Sequence, residues 1–229
     1  MVRRDRSHSS STKQTMVEDF MNERMEQLIN ACYCDRMSLG EPNVSCGDCP
    51  TRSYGRPSVT STNEYRLIID HYYDRRARRS QVPLINHINE GLIVLNHIGG
   101  TEDAMRAFCI HPLLQADIDL AYHHPIVNYS CSSTVVMLAM EYRSVANEYL
   151  SDKVFSGNDI RLSPLQEVNK MLIADKVQNR KDFITYHRGT HPKSNILDIY
   201  FNEWLDALGV TEEMYQAYCR IIDDGKGTD

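Results

Sequence analysis

The sequence predicts an all-helical protein, on three observations. Apolar residues return at helical spacing in one segment after another, Gly99-Gly100 closes one such segment, and Thr101 followed by Glu102 and Asp103 opens the next as an N-cap with acids in the first turn.

In chain order, residues 1–15 are Ser-rich and basic with no periodic apolar residues, which predicts a disordered tail. From Met16, the residues Val17, Phe20, Met21, Met25, Leu28 and Ile29 fall near one face at the 3.6-residue period, an amphipathic helix that caps the main domain or binds a partner. A Gly-, Pro- and Ser-rich stretch follows, carrying Cys32, Cys34, Cys46 and Cys49. Four thiols in a segment too polar to build a core either close on a structural Zn²⁺ or remain free, and the one-residue spacer between Cys32 and Cys34 is unusual for zinc. Residues 16–60 therefore form a helical, Cys-rich extension that ends in a linker.

The main domain spans residues 61–210. Tyr65, Ile68, Ile69 and Tyr72 give a first stripe, and the basic run Arg75, Arg76, Arg78, Arg79 follows it. Leu84, His87, Ile88, Gly91, Leu92 and Leu95 give a second stripe that ends at the glycine pair. The helix opened by Thr101 reaches His111, where Pro112 is expected to kink or break it, since proline lacks the amide hydrogen and crowds the preceding turn. Residues 122–133 read as a loop with an exposed His123-His124 pair, and residues 134–150 as a buried helix. After a polar loop, Pro164 marks the start of a helix carrying Asp175 and Asn179, four apart and on one face. Residues 195–208 form a last amphipathic helix with the single Trp204, and 211–229 are left as a C-terminal tail.

Composition narrows the function. At 229 residues and 41% hydrophobic content, the chain can bury a core of ordinary size. A net charge of −6 repels polyanions, so a small nucleotide is expected as partner rather than nucleic acid. No apolar run approaches the ~18 residues of a membrane span, and the basic start is not followed by a signal-peptide core, which together predict a cytoplasmic protein without membrane contact. Seven cysteines in such a chain point to reduced thiols or metal ligation, not to a disulfide framework.

Three residues stand out as metal ligands: His87 and His111, each bordering an apolar run, and Asp175 in MLIADKVQNRKDF. Two imidazoles and a carboxylate suit Mn²⁺, Fe²⁺ or Zn²⁺. The stretch HYYDRRARRSQVPLINH, His71 to His87, resembles without a gap the opening of the hydrolase domain of RelA/SpoT-type alarmone hydrolases, including their small single-domain relatives. ADKVQNRKDF, Ala174 to Phe183, resembles that family's Ala-Asp-Lys…Asn signature, and the resemblance covers roughly residues 61–207.

The resemblance implies an HD-domain helical bundle, a Mn²⁺ or similar divalent ion on His87, His111 and Asp175, and a nucleotide polyphosphate held by Arg75, Arg76, Lys176 and Asn179. The pattern departs from the family in three places. His111-Pro112 stands for His-Asp, Gln115-Ala116 for a Glu-Asp doublet, and Ala77 for the Lys after Arg76. The catalytic position thus falls to Gln115, which orients water without exchanging a proton, or to Asp117, which reaches the site only if Pro112 re-aims the chain. Two functions are expected from this. One is a metal-dependent (p)ppGpp-type 3′-pyrophosphohydrolase; the other is a degenerate HD-fold protein that binds a nucleotide or a protein partner without turnover. A zinc interaction module in the cysteine segment is a third.

Overall fold

The computed structural model describes residues 59–150 and 159–225. The chain divides into two units between Tyr54 and Gly55, and all the described residues belong to the second. The expected helix from Met16 and the cysteines Cys32, Cys34, Cys46 and Cys49 lie outside them.

The described residues are helical, without a strand. After a 3₁₀ turn at Val59–Ser61 come α1 (Asn63–Tyr72), α2 (Ile85–His97), α3 (Glu102–Gln115), α4 (Asp117–Ser130), α5 (Ser133–Glu148), α6 (Gln166–Asp182), α7 (Ser194–Ala207) and α8 (Glu212–Gly225). The capping signals act as the sequence implies. Thr62, Thr101 and Ser132 accept from the amides of Tyr65, Ala104 and Val135, which gives partners to donors that a helix start leaves open. Beyond α2, Gly99 takes φ 71°, the left-handed stop that glycine adopts without strain.

Two helix boundaries differ from expectation. Pro112 does not break α3, which continues to Gln115 with the proline inside it. The break comes at Ala116, whose extended backbone (ψ 149°) separates α3 from α4. Residues 122–133 are not a loop either, because α4 runs to Ser130 through Pro125 and turns only at Cys131 and Ser132. Interior proline costs a helix a hydrogen bond, about 3 kcal/mol, and burial of the surrounding turns can offset that. In α3, eight residues are buried, including Phe108, Ile110, Leu113 and Leu114 on both sides of Pro112. Residues 212–225, within the segment set apart as a tail, form α8 and bury Tyr215, Tyr218 and Ile222.

Helix α3 is the axis of the bundle, packing on α1, α2, α4, α5 and α6, and α6 meets α2, α5, α7 and α8 on its other sides. Trp204 of α7 is fully buried, with its indole Nε1 donating to the Tyr149 carbonyl at 3.3 Å. No helix among the described residues is long and apolar enough to cross a membrane.

Candidate metal centre

One close approach decides where the site lies. A Cβ on Gly91 would stand 2.3 Å from the Phe108 ring, so only glycine lets α2 and α3 come this near. His87 lies one turn before Gly91 and His111 one turn after Phe108, and both imidazoles pack on that ring, with centroids at 5.8 and 4.7 Å. Helix α6 supplies the third group from the side.

His87 Nε2 and His111 Nε2 are 3.2 Å apart, and Asp175 Oδ1 lies 3.5 Å from the first and 3.9 Å from the second. His111 and Asp175 are buried, and His87 is partly so. The proton positions follow from the outer partners. His111 Nδ1 is 2.7 Å from the Phe108 carbonyl, which can only accept, so His111 carries its proton there. His87 Nδ1 is 2.7 Å from Gln178 Oε1, and Gln178 Nε2 donates to Asp182 Oδ2 at 2.9 Å. With the amide oriented in that way, His87 also carries its proton on Nδ1. Two Nε2 lone pairs and a carboxylate oxygen then converge on one point, an arrangement that repels itself unless a cation or a proton stands between them. These three residues could hold a metal ion.

The charges around them are balanced within the fold. Burial alone would raise the Asp175 carboxyl, but the Lys176 ammonium 2.8 Å away opposes it most, and the carboxyl is held down at about 2. Burial would lower Lys176, and Asp175 overrides it in the same way, keeping the ammonium charged. Burial and then His87 depress His111 to about 3, so it is neutral, the form that ligates metal.

A cavity of about 670 Å³ opens over this cluster. Of the residues singled out in the sequence, it is lined by His87, His111, Gln115, Asp175, Lys176 and Asn179. Asn179 Nδ2 donates to Asp175 Oδ1 at 2.9 Å, so it also orients the carboxylate. Lys176 donates to Tyr200 Oη at 3.2 Å and lies 4.9 Å over the Trp204 ring, a boxed-in cation facing Asp175.

Three residues lie elsewhere. Asp117 begins α4 with its side chain 96% exposed and paired to Arg143, because the turn at Ala116 carries it out of the site. Arg75 donates to the His71 carbonyl at 2.6 Å and Arg76 to the Gln81 carbonyl at 2.9 Å, and neither lines the cavity. Arg78 and Arg79 do, together with His187 and His191. The α1–α2 connection folds back on itself through the Arg76–Pro83 bridge, which places the later pair of arginines at the cavity.

Sequence reading alone missed Gln178 and Asp182. Their signal was spacing, since positions 175, 178 and 182 fall on one face of α6. No family model, curated protein or solved structure matches this chain.

Proposed function

We propose that this chain is a metal-dependent nucleotide pyrophosphohydrolase with an HD-domain bundle, of the kind that acts on alarmone-type 3′-pyrophosphorylated nucleotides. The observation that supports the reading most is the convergence of His87 Nε2, His111 Nε2 and Asp175 Oδ1 at the floor of a nucleotide-sized cavity. These atoms would hold a divalent ion such as Mn²⁺. When bound there, the ion supplies Lewis acidity, lowering the pKa of water and neutralising charge on phosphoryl oxygens.

The remaining tasks fall to the chain's own groups. Arg78 and Arg79 line the cavity, and guanidinium forks match phosphate oxygens in a bidentate way. Gln115 lines the wall beside His111 and orients water through its amide. Among the described residues that line the cavity, Asp175 and Asp182 are the only carboxylates. Asp175 stays ionised between Lys176 and the imidazoles, and burial raises Asp182 while its partner Gln178 opposes that shift. Among the described residues lining the cavity no carboxylate is left without such a partner, so proton transfer lacks a dedicated group there, a handicap of about 10²–10⁴ in rate.

That same observation favours a second reading, an HD-fold protein that binds its nucleotide without turnover. One assay separates the two. The purified chain is loaded with Mn²⁺ and incubated with a guanosine and adenosine polyphosphate panel while pyrophosphate release and nucleotide binding are both followed. Metal-dependent release that disappears with chelator and in Asp175→Asn is expected. Tight binding with no release from any member would replace the hydrolase with the binding protein.

A further inference from the structure

The atoms that aim the two imidazoles lie outside the donor cluster. His111 Nδ1 donates to the carbonyl of Phe108 at 2.7 Å. Phe108 is four residues before Pro112, so in an unbroken α-helix its carbonyl is the acceptor for the amide of residue 112. Proline has no such amide, yet α3 continues through it to Gln115. The carbonyl left over is the one that the His111 ring occupies. On the other side, His87 Nδ1 donates to Gln178 Oε1, and Gln178 is held in that orientation by Asp182 while only 1% exposed.

We propose that Pro112 and Gln178 are positioning residues of the metal centre: each fixes one imidazole with its proton on Nδ1, so that both Nε2 lone pairs face Asp175 Oδ1. The proposal rests on the metal-binding reading of this cluster. An imidazole ligates only through an unprotonated nitrogen, and the partner of its other nitrogen selects which one that is. Pro112 achieves this by withholding a hydrogen bond from the backbone, and Gln178 by passing the pull of Asp182 to His87.

The test measures Mn²⁺ and Co²⁺ affinity of the full chain by calorimetry, with the ligand-field absorption of Co²⁺ as a second readout and the melting temperature of the metal-free protein as a third. Gln178→Leu is expected to weaken metal binding about 10- to 100-fold, the usual effect of losing an outer partner of a ligating histidine. The swap Gln178→Glu with Asp182→Asn keeps the net charge and exchanges donor for acceptor. It is expected to restore affinity to within a few-fold of wild type, since the new carboxylate accepts from His87 and the new amide donates to it. Pro112→Ala returns the helix amide, which competes for the Phe108 carbonyl. It should raise the melting temperature while lowering metal affinity several-fold, opposite signs that a merely structural role would not produce. Wild-type affinity in either Gln178→Leu or Pro112→Ala overturns the proposal. A wild-type chain that takes up neither ion overturns the metal-binding reading itself, and the proposal with it.

Discussion

The floor of the cavity and its rim are built on different terms. On the floor, His87, His111, Asp175, Lys176 and Gln178 come from α2, α3 and α6, and each is held by a named partner within the bundle. On the rim, Arg78 and Arg79 are exposed on the α1–α2 connection, while His187 closes the π-helical turn Phe183–His187 that ends α6 and His191 follows it. Floor geometry therefore rests on helix packing. The rim acts through charge in water, where salt screens it and a single pair is worth about 0–1 kcal/mol. A change to the floor should alter both stability and metal binding, whereas a change to the rim should move only nucleotide affinity.

The largest effect is expected at Asp175, where the two properties are tied to one side chain. Asp175→Ala removes a proposed metal ligand and strands Lys176, which is 4% exposed, without its counter-ion. Stranding one partner of a buried pair costs about 3–5 kcal/mol. Adding Lys176→Met should recover most of that stability while leaving metal binding abolished, as read by chemical denaturation and metal stoichiometry. If Asp175→Ala keeps wild-type stoichiometry, the floor is not a metal centre.

A second difference should appear on acidification. Burial depresses His111 in the folded state to about 3, below its ordinary value of 6.5, so folding favours the neutral ring. That contribution is fully present above pH 6.5 and is lost as pH falls from 6.5 toward 3, with a slope of up to about 1.4 kcal/mol per pH unit. Burial and then Arg75 lower His71 to about 4, which acts in the same direction over a narrower range. Asp175, held at about 2 against an ordinary 3.8, loses its contribution only below pH 3.8. Thermal melts of metal-free protein should thus fall from pH 6.5 downward, with His111→Gln flattening the slope. A melting temperature constant from pH 7 to 5 would contradict the neutral, buried imidazole.

The floor was more legible in the sequence than the rim. His87, His111 and Asp175, named from the sequence as candidate ligands, come together in the structure, since each sits on a helix packed into the bundle. The stripes through Ile68, Leu95, Tyr142 and Trp204 likewise marked a core that is buried in the structure. Of the kink or break expected at Pro112, the break does not occur, because propensity weighs a lost hydrogen bond but not the packing of Phe108, Leu113 and Leu114 around it. The expected loop at residues 122–133 is likewise helical to Ser130, with Pro125 inside α4. Gly91 looked like one more member of an apolar face; its closeness to Phe108 is a tertiary fact. At the rim, four arginines in five positions cannot be ranked from sequence, since the backbone turn between Arg76 and Pro83 decides which of them face the cavity.

The smallest effect is expected at Arg79, and it is the one that most sharpens the contrast. Arg79 is exposed, so replacing its guanidinium by an amide leaves no buried group unpaired. Arg79→Gln should leave metal affinity and melting temperature unchanged and weaken binding of a nucleotide polyphosphate by about two- to fivefold at low ionic strength. Because the contact is in water, that difference should shrink as salt rises toward 0.5 M, where the screening length falls to a few ångströms. Arg75→Gln, at a residue that does not line the cavity and whose guanidinium is engaged with the His71 carbonyl, is the matched control and should leave nucleotide affinity unchanged. Nucleotide affinity that responds to Arg75 and not to Arg79 would mean that the α1–α2 connection rearranges when it meets its ligand. The rim would then be a moving part over a fixed floor.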